Sequence, residues 1–218
     1  MKALLLAFAL ACAASLPARS LVLLDPGHGG SDAGVTVGSL VEKDFALDVA
    51  KRVQAILKDK GVEARLTRED DRDLSLTARV TLADQIRPAA FLSLHLNASF
   101  NAEARGPRVF VPADAASDEP LAPRLEQAAG LHAAESRALG GCLARALGAA
   151  GARPVQSLKL GIFRGLDAPA ALVELEFATR SGAAEELKDP ARVQALAAKV
   201  AQGLLEFLQV PEAADAPH

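Results

Sequence analysis

Two histidines and a glutamate stand where a layered fold of strands and helices would bring them together. His28 follows an apolar run at residues 20–25, His95 lies near the end of the run at 89–97, and Glu42 begins an amphipathic segment. Two imidazoles and a carboxylate can form a catalytic zinc site whose fourth position is left to water. The pattern therefore suggests metal-assisted hydrolysis. Taken singly, the same residues also fit a loop histidine, a core histidine and a first-turn carboxylate favoured by the helix dipole.

The segments around these residues predict strands that alternate with helices. Apolar runs predict strands, and helical periodicity with capping and stop signals predicts helices. The strands are expected at 20–25, 62–67, 89–97, 108–111, 160–164 and 170–177, and the helices at 42–60, 75–87, 133–150 and 190–208. This order predicts a single α/β domain with a largely parallel sheet and helices on both faces. In such sheets the ligand crevice lies beyond the carboxyl ends of the strands.

Composition limits the classes of partner. The chain has 218 residues, a formal net charge of -3 and no Trp or Tyr. Its length fits one domain, and its slightly acidic balance lacks the basic footprint of a nucleic-acid-binding protein. With only 8 Phe, an aromatic platform for stacked sugars or bases is not expected. We expect a monomer that does not bind nucleic acid.

The two ends of the chain predict a processed, exported protein. Residues 1–19 have the pattern of a secretory signal peptide, with Lys2 before a short apolar run. The expected domain then spans 20–210, and 211–218 form a flexible tail. The alternative is a lipid anchor through Cys12, although Ala9 stands where a lipobox prefers Leu. No second stretch is long enough to cross a bilayer, so we expect a periplasmic or secreted location.

Five sequence blocks point to one family. They are DPGHGGSDAG, VEKDFALDVAKRV, TREDDRDLSLTARV, FLSLHLNAS and IFRGLDAPAALVELEF, in this order. Together they resemble the zinc-dependent N-acetylmuramoyl-L-alanine amidases with an Amidase_3-type catalytic domain, over about residues 21–209. The resemblance implies a mixed six-stranded sheet and one Zn²⁺ held by His28, Glu42 and His95. It also implies that Glu174 is the catalytic base and acid, and that peptidoglycan is the substrate. The bond cleaved would be the amide between N-acetylmuramic acid and the L-alanine of the stem peptide.

Other residues near these motifs have two interpretations each. Asn97 could orient a ligand or substrate amide, or cap its strand. Arg164 matches a family arginine and could contact substrate carboxylates, or pair with Glu176. The family usually has a small residue at position 176, so Glu176 could approach the metal as a fourth ligand and block the water. The family's following Ser-Asn pair is replaced by Thr179 and Arg180.

The pattern leaves the activity itself open in three ways. One alternative is a catalytically silent wall-binding protein on the same fold, and another is a zinc peptidase that cuts within the stem peptide. Some relatives require an activator protein that displaces an inserted helix from the site. The corresponding stretch, about 112–135, is short here, and the need for an activator protein stays open.

Overall fold

A six-stranded sheet carries the fold of the computed structural model, which describes residues 21–113, 131–149 and 154–209. The spatial order is β4-β1-β5-β8-β6-β7, and β6 is antiparallel to β8 while the other neighbours are parallel. The strands are β1 (Leu21–Pro26), β4 (Glu63–Leu66), β5 (Ala90–Asn97), β6 (Arg108–Pro112), β7 (Val155–Leu158) and β8 (Ala170–Phe177). The short β2 (Thr36–Val37) and β3 (Leu40–Val41) form a separate hairpin. The predicted mixed, largely parallel α/β sheet in one domain is confirmed.

Five α-helices lie within the described residues, and two of them have side-chain N-caps. They are α1 (Glu42–Asp59), α2 (Leu76–Ile86), α3 (Ala133–Leu147), α4 (Ala183–Glu186) and α5 (Pro190–Leu208). The Ser75 hydroxyl accepts a hydrogen bond from the first turn of α2, and the Asp189 carboxylate does the same for α5. Pro190 occupies the first turn of α5, where its missing N–H costs nothing.

Alternation along β5 separates two apolar layers. Leu92, Leu94 and Leu96 face the larger core, which α1, α3 and α5 complete. Phe91 faces a smaller cluster that is covered by α2 and the 3-10 turn Gly161–Phe163. Side chains of a strand alternate between faces, so His95 projects on the side of the smaller cluster. The helices lie on both faces of the sheet, as the sequence predicts.

One predicted strand is wrong. Residues 160–164 form a 3-10 turn, in which the amide of Phe163 bonds to the carbonyl of Leu160. Ile162 and Phe163 are buried. The apolar run therefore marks a buried segment, as predicted, but this segment is a turn packed against one face of the sheet and not a strand. The sixth strand is instead β7, which lies at the edge of the sheet. Its residues are partly or fully exposed, and an edge strand of this kind has no apolar run to reveal it.

Several expectations fall outside the described residues. These are the signal peptide at 1–19 with Cys12, the tail at 211–218, and most of the stretch at 112–135. Within the described ranges, none of the helices combines the length and the apolar character needed to cross a membrane.

Candidate active site

Three predicted metal ligands converge at the carboxyl edge of the sheet. His28 follows β1, His95 lies near the end of β5, and Glu42 is the first residue of α1. One oxygen of Glu42 lies 3.0 Å from His28 Nε2 and 2.9 Å from His95 Nδ1. One donor atom from each residue fits within a 4.8 Å cluster. Two imidazoles and a carboxylate at this spacing are a donor set suited to zinc.

Backbone conformation brings His28 into this position. Its φ is 58°, in the left-handed region that non-glycine residues seldom adopt. A side chain at Gly27 would overlap the His95 ring, and a Cβ at Gly34 would lie 2.5 Å from Glu42 and 2.6 Å from His28. The absence of side chains at positions 27 and 34 therefore permits the close approach of all three ligands.

Glu42 is buried and fully hydrogen-bonded. Its Oε2 accepts a hydrogen bond from the Val35 amide at 2.7 Å, and its Oε1 accepts one from the Leu96 amide at 2.9 Å. Burial alone raises the pKa of Glu42, but the hydrogen bonds from His28, His95 and these two amides outweigh burial and hold the pKa well below its ordinary value. Glu42 is therefore ionised, as a metal ligand must be.

Asp32 orients the first histidine from behind. Its Oδ2 lies 2.8 Å from His28 Nδ1, which leaves Nε2 on the side of Glu42. The hydrogen bond to Glu42 raises the pKa of His28 to about 9, against the effect of burial and with a further contribution from Asp32. A carboxylate on the far nitrogen is the usual support for a metal-binding histidine. Sequence reasoning missed Asp32, although its spacing of four residues from His28 was a usable signal.

Glu174 lies beside the three ligands with one oxygen left unpartnered. In the register of the sheet it pairs with His95 across β5 and β8. Among the buried side-chain oxygen and nitrogen atoms of the described residues, Glu174 Oε2 is the one without a hydrogen-bond partner. Burial raises the pKa of Glu174, and the charge of Glu42 adds to this effect while His95 and His28 oppose it. A buried carboxyl with a raised pKa beside a cluster of possible metal ligands is a candidate for proton transfer.

Two buried arginines support the loop that carries His28. Arg79 donates to the carbonyl oxygens of Pro26 and His28 at 2.8 and 2.6 Å, and to Asp25 Oδ1 at 2.6 Å. Arg68, which has no exposed surface, donates to the carbonyl oxygens of Pro26 and Gly27 at 3.1 and 2.8 Å. The sequence suggests only that these arginines make loop and helix contacts in the segment before β5. Their burial shows that they support the backbone of the loop that carries His28.

A ring of charged groups holds the outer side of the same loop. The amide of Gly30 donates to Asp71 at 2.7 Å, and the amide of Ser31 donates to Asp73 at 2.9 Å. Lys43 bridges the Gly30 carbonyl and Asp71 at 2.8 and 2.7 Å. These partners are 13 to 42 residues apart in sequence, so short-range patterns could not reveal them.

The two tentative substrate contacts lie in different surroundings. Asn97 lines the cavity beside His95, and its Oδ1 accepts a hydrogen bond from the Ala98 amide at 2.8 Å. That bond corresponds to the predicted capping role and leaves the amide nitrogen for another partner. Arg164 is exposed at the end of the 3-10 turn and is not part of the cavity lining.

Glu176 does not join the metal ligands. The pairing of β8 with β5 shifts by one residue between Glu174 and Phe177, which is a bulge in β8. A bulge breaks the two-residue alternation, so the expectation that Glu176 shares the face of Glu174 is wrong. Its Oε1 accepts hydrogen bonds from the amides of Gly106 and Phe177, and its other oxygen faces Arg180 at 4.0 Å. The pairing partner of Glu176 is Arg180 rather than Arg164.

The four residues open into one cavity of about 620 Å³. Its polar end carries His28, Glu42, His95 and Glu174. The remaining wall is mainly apolar and extends over β6, β7 and β8 through Phe110, Leu158, Leu160 and Leu172. A volume of this size admits part of a larger molecule. The ionisable side chains of the lining lie together at one end of the cavity.

Comparisons with known proteins agree with this geometry. The family model for N-acetylmuramoyl-L-alanine amidase (Amidase_3) matches residues 22–206. The germination-specific N-acetylmuramoyl-L-alanine amidase of Bacillus subtilis is 28% identical over 208 residues, covering 88% of this chain and 82% of that protein. The amidase AmiA of Salmonella typhimurium is 37% identical over 110 residues, which are 50% of this chain and 38% of AmiA. The match thus spans well under half of AmiA. The structure is similar to that of amidase AmiC2 of Nostoc punctiforme, with a TM-score of 0.69, 30% identity, and coverage of 88% of this chain and 98% of that one.

Proposed function

Because its residues 22–206 match the family model, this chain belongs to the N-acetylmuramoyl-L-alanine amidase family Amidase_3, and from that premise we propose its reaction. The protein hydrolyses the amide bond between N-acetylmuramic acid and L-alanine in peptidoglycan. The observation that carries this proposal is the unpartnered Oε2 of buried Glu174 in the same cavity as the His28, Glu42 and His95 cluster.

The donor set of the cluster fits one Zn²⁺ per chain. Glu42 is ionised and buried, both histidines present a ring nitrogen to it, and Asp32 supports His28 from behind. When bound there, the ion supplies Lewis-acid polarisation of the scissile carbonyl and lowers the pKa of a water molecule. The ligands that would hold the ion are His28, Glu42 and His95. The buried Arg68 and Arg79 keep the loop that carries His28 in place.

Glu174 moves the proton. Its Oε2 takes the proton of the attacking water and then delivers that proton to the nitrogen of L-alanine as the amide bond breaks. An amine leaves poorly unless it is protonated, so the same carboxyl must act first as base and then as acid. The burial that raises the pKa of Glu174 favours this exchange, since it makes the carboxylate a stronger base than an exposed glutamate.

The location and partners follow from the substrate. Peptidoglycan lies outside the cytoplasm, so the enzyme would act in the periplasm or after secretion, in agreement with the signal peptide predicted at 1–19. The possible activator protein stays a prediction. Asn97, at the cavity wall with its amide nitrogen available, is proposed to orient a substrate amide; Arg164 is proposed only as a contact for an extended part of the substrate.

Product masses test the reaction directly. Zinc-loaded protein acting on purified peptidoglycan should release stem peptides that begin with L-alanine and leave peptide-free glycan, and a chelator should abolish this release. Glu174→Gln should lower the rate about 10²- to 10⁴-fold while the bound zinc stays near one per chain. Glu63→Gln, on the exposed strand β4, is the control and should retain full activity.

Three outcomes would contradict the proposal. Peptides cut within the stem would identify a zinc peptidase instead. An absence of any product, with zinc and peptidoglycan both bound, would identify a silent wall-binding protein. Full activity of Glu174→Gln would show that another group moves the proton.

A further inference from the structure

A phenylalanine stands fully in solvent beside the cavity. β5 ends at Asn97, and Asn97 and Ala98 both line the cavity. Phe100 follows two residues later with a relative exposure of 113%, the highest of the large apolar residues in the described ranges. Consecutive Cα atoms are about 3.8 Å apart, so the Phe100 Cα lies within about 8 Å of the Ala98 Cα. Phe100 therefore lies in the loop that continues directly from the cavity wall.

The loop that carries Phe100 is anchored on both sides to the end of β8. Thr179 Oγ1 accepts a hydrogen bond from the Ser99 amide at 2.9 Å and donates one to the Ser99 carbonyl at 3.0 Å. Glu176 Oε1 accepts a hydrogen bond from the Gly106 amide at 2.8 Å. Loop 98–106 is thus held at its beginning by Thr179 and at its end by Glu176.

Internal hydrogen bonds shape the turn between these anchors. Ser99 Oγ accepts from the Asn101 amide at 3.0 Å, and Asn101 Oδ1 accepts from the Glu103 amide at 2.9 Å. The Ala104 amide closes the turn on the Asn101 carbonyl at 3.0 Å. Side chains that satisfy backbone groups in this way favour one loop conformation, so Phe100 is presented by an ordered turn.

Arg180 lies beside Glu176 at this anchor. It is 4.0 Å from Glu176 and 2.6 Å from Glu186, so the buried Glu176 carboxylate has a cation nearby.

The substrate of the proposed reaction must continue past this rim. In peptidoglycan, three bonds join the scissile carbonyl carbon to the sugar ring, through the lactyl group, and further sugars follow on both sides of that ring. The loop around Phe100 holds the polar residues Ser99, Asn101 and Glu103 and one cation, Arg105, and its other side chains are alanines. An isolated ring among polar groups suits the C–H face of a sugar. A membrane would require a broader apolar surface with basic residues, and a docked protein usually covers a larger apolar patch.

From these observations, and on the basis of the proposed function, we infer that Phe100 stacks on a sugar of the glycan strand adjacent to the muramic acid whose peptide is removed. Glu176 and Thr179 act as positioning residues for the loop. The composition predicts no aromatic platform for stacked sugars, and the inference departs from that prediction because it needs one ring, that of Phe100.

Two substrates separate this role from the chemistry. One is a glycan strand that carries stem peptides, and the other is a single N-acetylmuramoyl peptide. Phe100→Ala should lower kcat/KM on the strand about 3- to 10-fold, the range expected for one aromatic contact, and should change it less than about 2-fold on the monosaccharide. Phe100→Trp should keep the preference for the strand. Leu131→Ala is the control: Leu131 is 72% exposed, next to α3, whose Ser136 contacts the opposite end of β8 at Ala170.

A binding measurement keeps the inference testable if the protein releases no product. Peptide-free glycan strands should bind wild-type protein about 3- to 10-fold more tightly than Phe100→Ala, by calorimetry or sedimentation. Equal binding by the two proteins would overturn the inference, and so would equal losses of kcat/KM on both substrates. Adsorption to anionic phospholipid vesicles that disappears in Phe100→Ala, with unchanged glycan binding, would assign the ring to a membrane and also overturn it.

The positioning role has its own readout. Glu176→Ala should accelerate hydrogen exchange at the Gly106 amide and reduce the preference for strands, while zinc stoichiometry stays the same. Glu176→Gln keeps an oxygen acceptor and should retain protection at Gly106. Loss of strand preference without faster exchange at Gly106 would contradict the positioning role of Glu176.

Discussion

Replacement of Arg79 by Met should destabilise the protein more than any surface change. It removes a buried guanidinium group that hydrogen-bonds to the loop carrying His28. Arg79 is 4% exposed and Asp25 is 1% exposed. The substitution keeps an aliphatic stem but removes the donors to Asp25, to the carbonyl oxygens of Pro26 and His28, and to that of Leu74. Asp25 would retain only the hydroxyls of Thr67 and Ser93.

The expected loss of folding free energy is about 3–5 kcal/mol, the usual cost of leaving one member of a buried ion pair without its partner. With a urea m-value of about 2–3 kcal/mol/M for a domain of this size, the midpoint of unfolding should fall by about 1–2 M. Circular dichroism during urea titration measures this shift. Arg65→Met is the matched control: Arg65 and Glu63 form an ion pair at 2.7 Å with both side chains more than half exposed, and such pairs contribute less than about 1 kcal/mol.

Two further results would show whether the buried charge is the cause. Adding Asp25→Asn to Arg79→Met should recover part of the lost stability, since a neutral amide does not need a cation. Zinc affinity of the folded Arg79→Met protein should fall about 10-fold, because the His28 carbonyl has lost its donor. A stability loss no greater than that of Arg65→Met would refute the reasoning.

Three other predictions concern the site itself. Burial raises the pKa of Glu174 in the metal-free site above its ordinary value of 4.5. Titration of this carboxyl in the metal-free protein, followed by NMR, should therefore have its midpoint above pH 4.5, and a midpoint below that value would contradict the effect of burial. In the metal-free site the pKa of His28 is raised to about 9, so His28 must lose its proton when zinc binds at pH 7. Calorimetry in buffers of different ionisation enthalpy should detect this proton release, and the zinc affinity should increase from pH 6 to 8. A zinc affinity that does not change with pH would argue against His28 as a ligand. Asp32→Asn should weaken zinc binding about 10- to 100-fold with little change in the thermal midpoint, because Asp32 is 66% exposed in its side chain; unchanged zinc affinity in a competition assay would exclude it as the support of His28.

Local patterns in the sequence were sufficient for most of the fold. Helical periodicity and caps predicted the starts of α2 and α5 at Ser75 and Pro190, and the alternation of β5 predicted which face carries His95. The family resemblance identified His28, Glu42, His95 and Glu174, and the structure brings all four to one cavity. These features depend on residue type and short spacing, which a sequence displays directly.

Tertiary structure alone decided the features that depend on distant partners. The apolar run at 160–164 fits either a strand or a turn, and only its packing against the sheet identifies it as a turn. The edge strand β7 lacks the apolar run or alternation by which a strand is predicted. The bulge between Glu174 and Phe177 turned Glu176 from a suspected metal ligand into an anchor of loop 98–106. Arg68 and Arg79 gained their importance from burial against carbonyls about 41 to 53 residues away. In the sequence, these two arginines cannot be distinguished from exposed ones, because the cost of burying a charge arises only once the chain has folded around it.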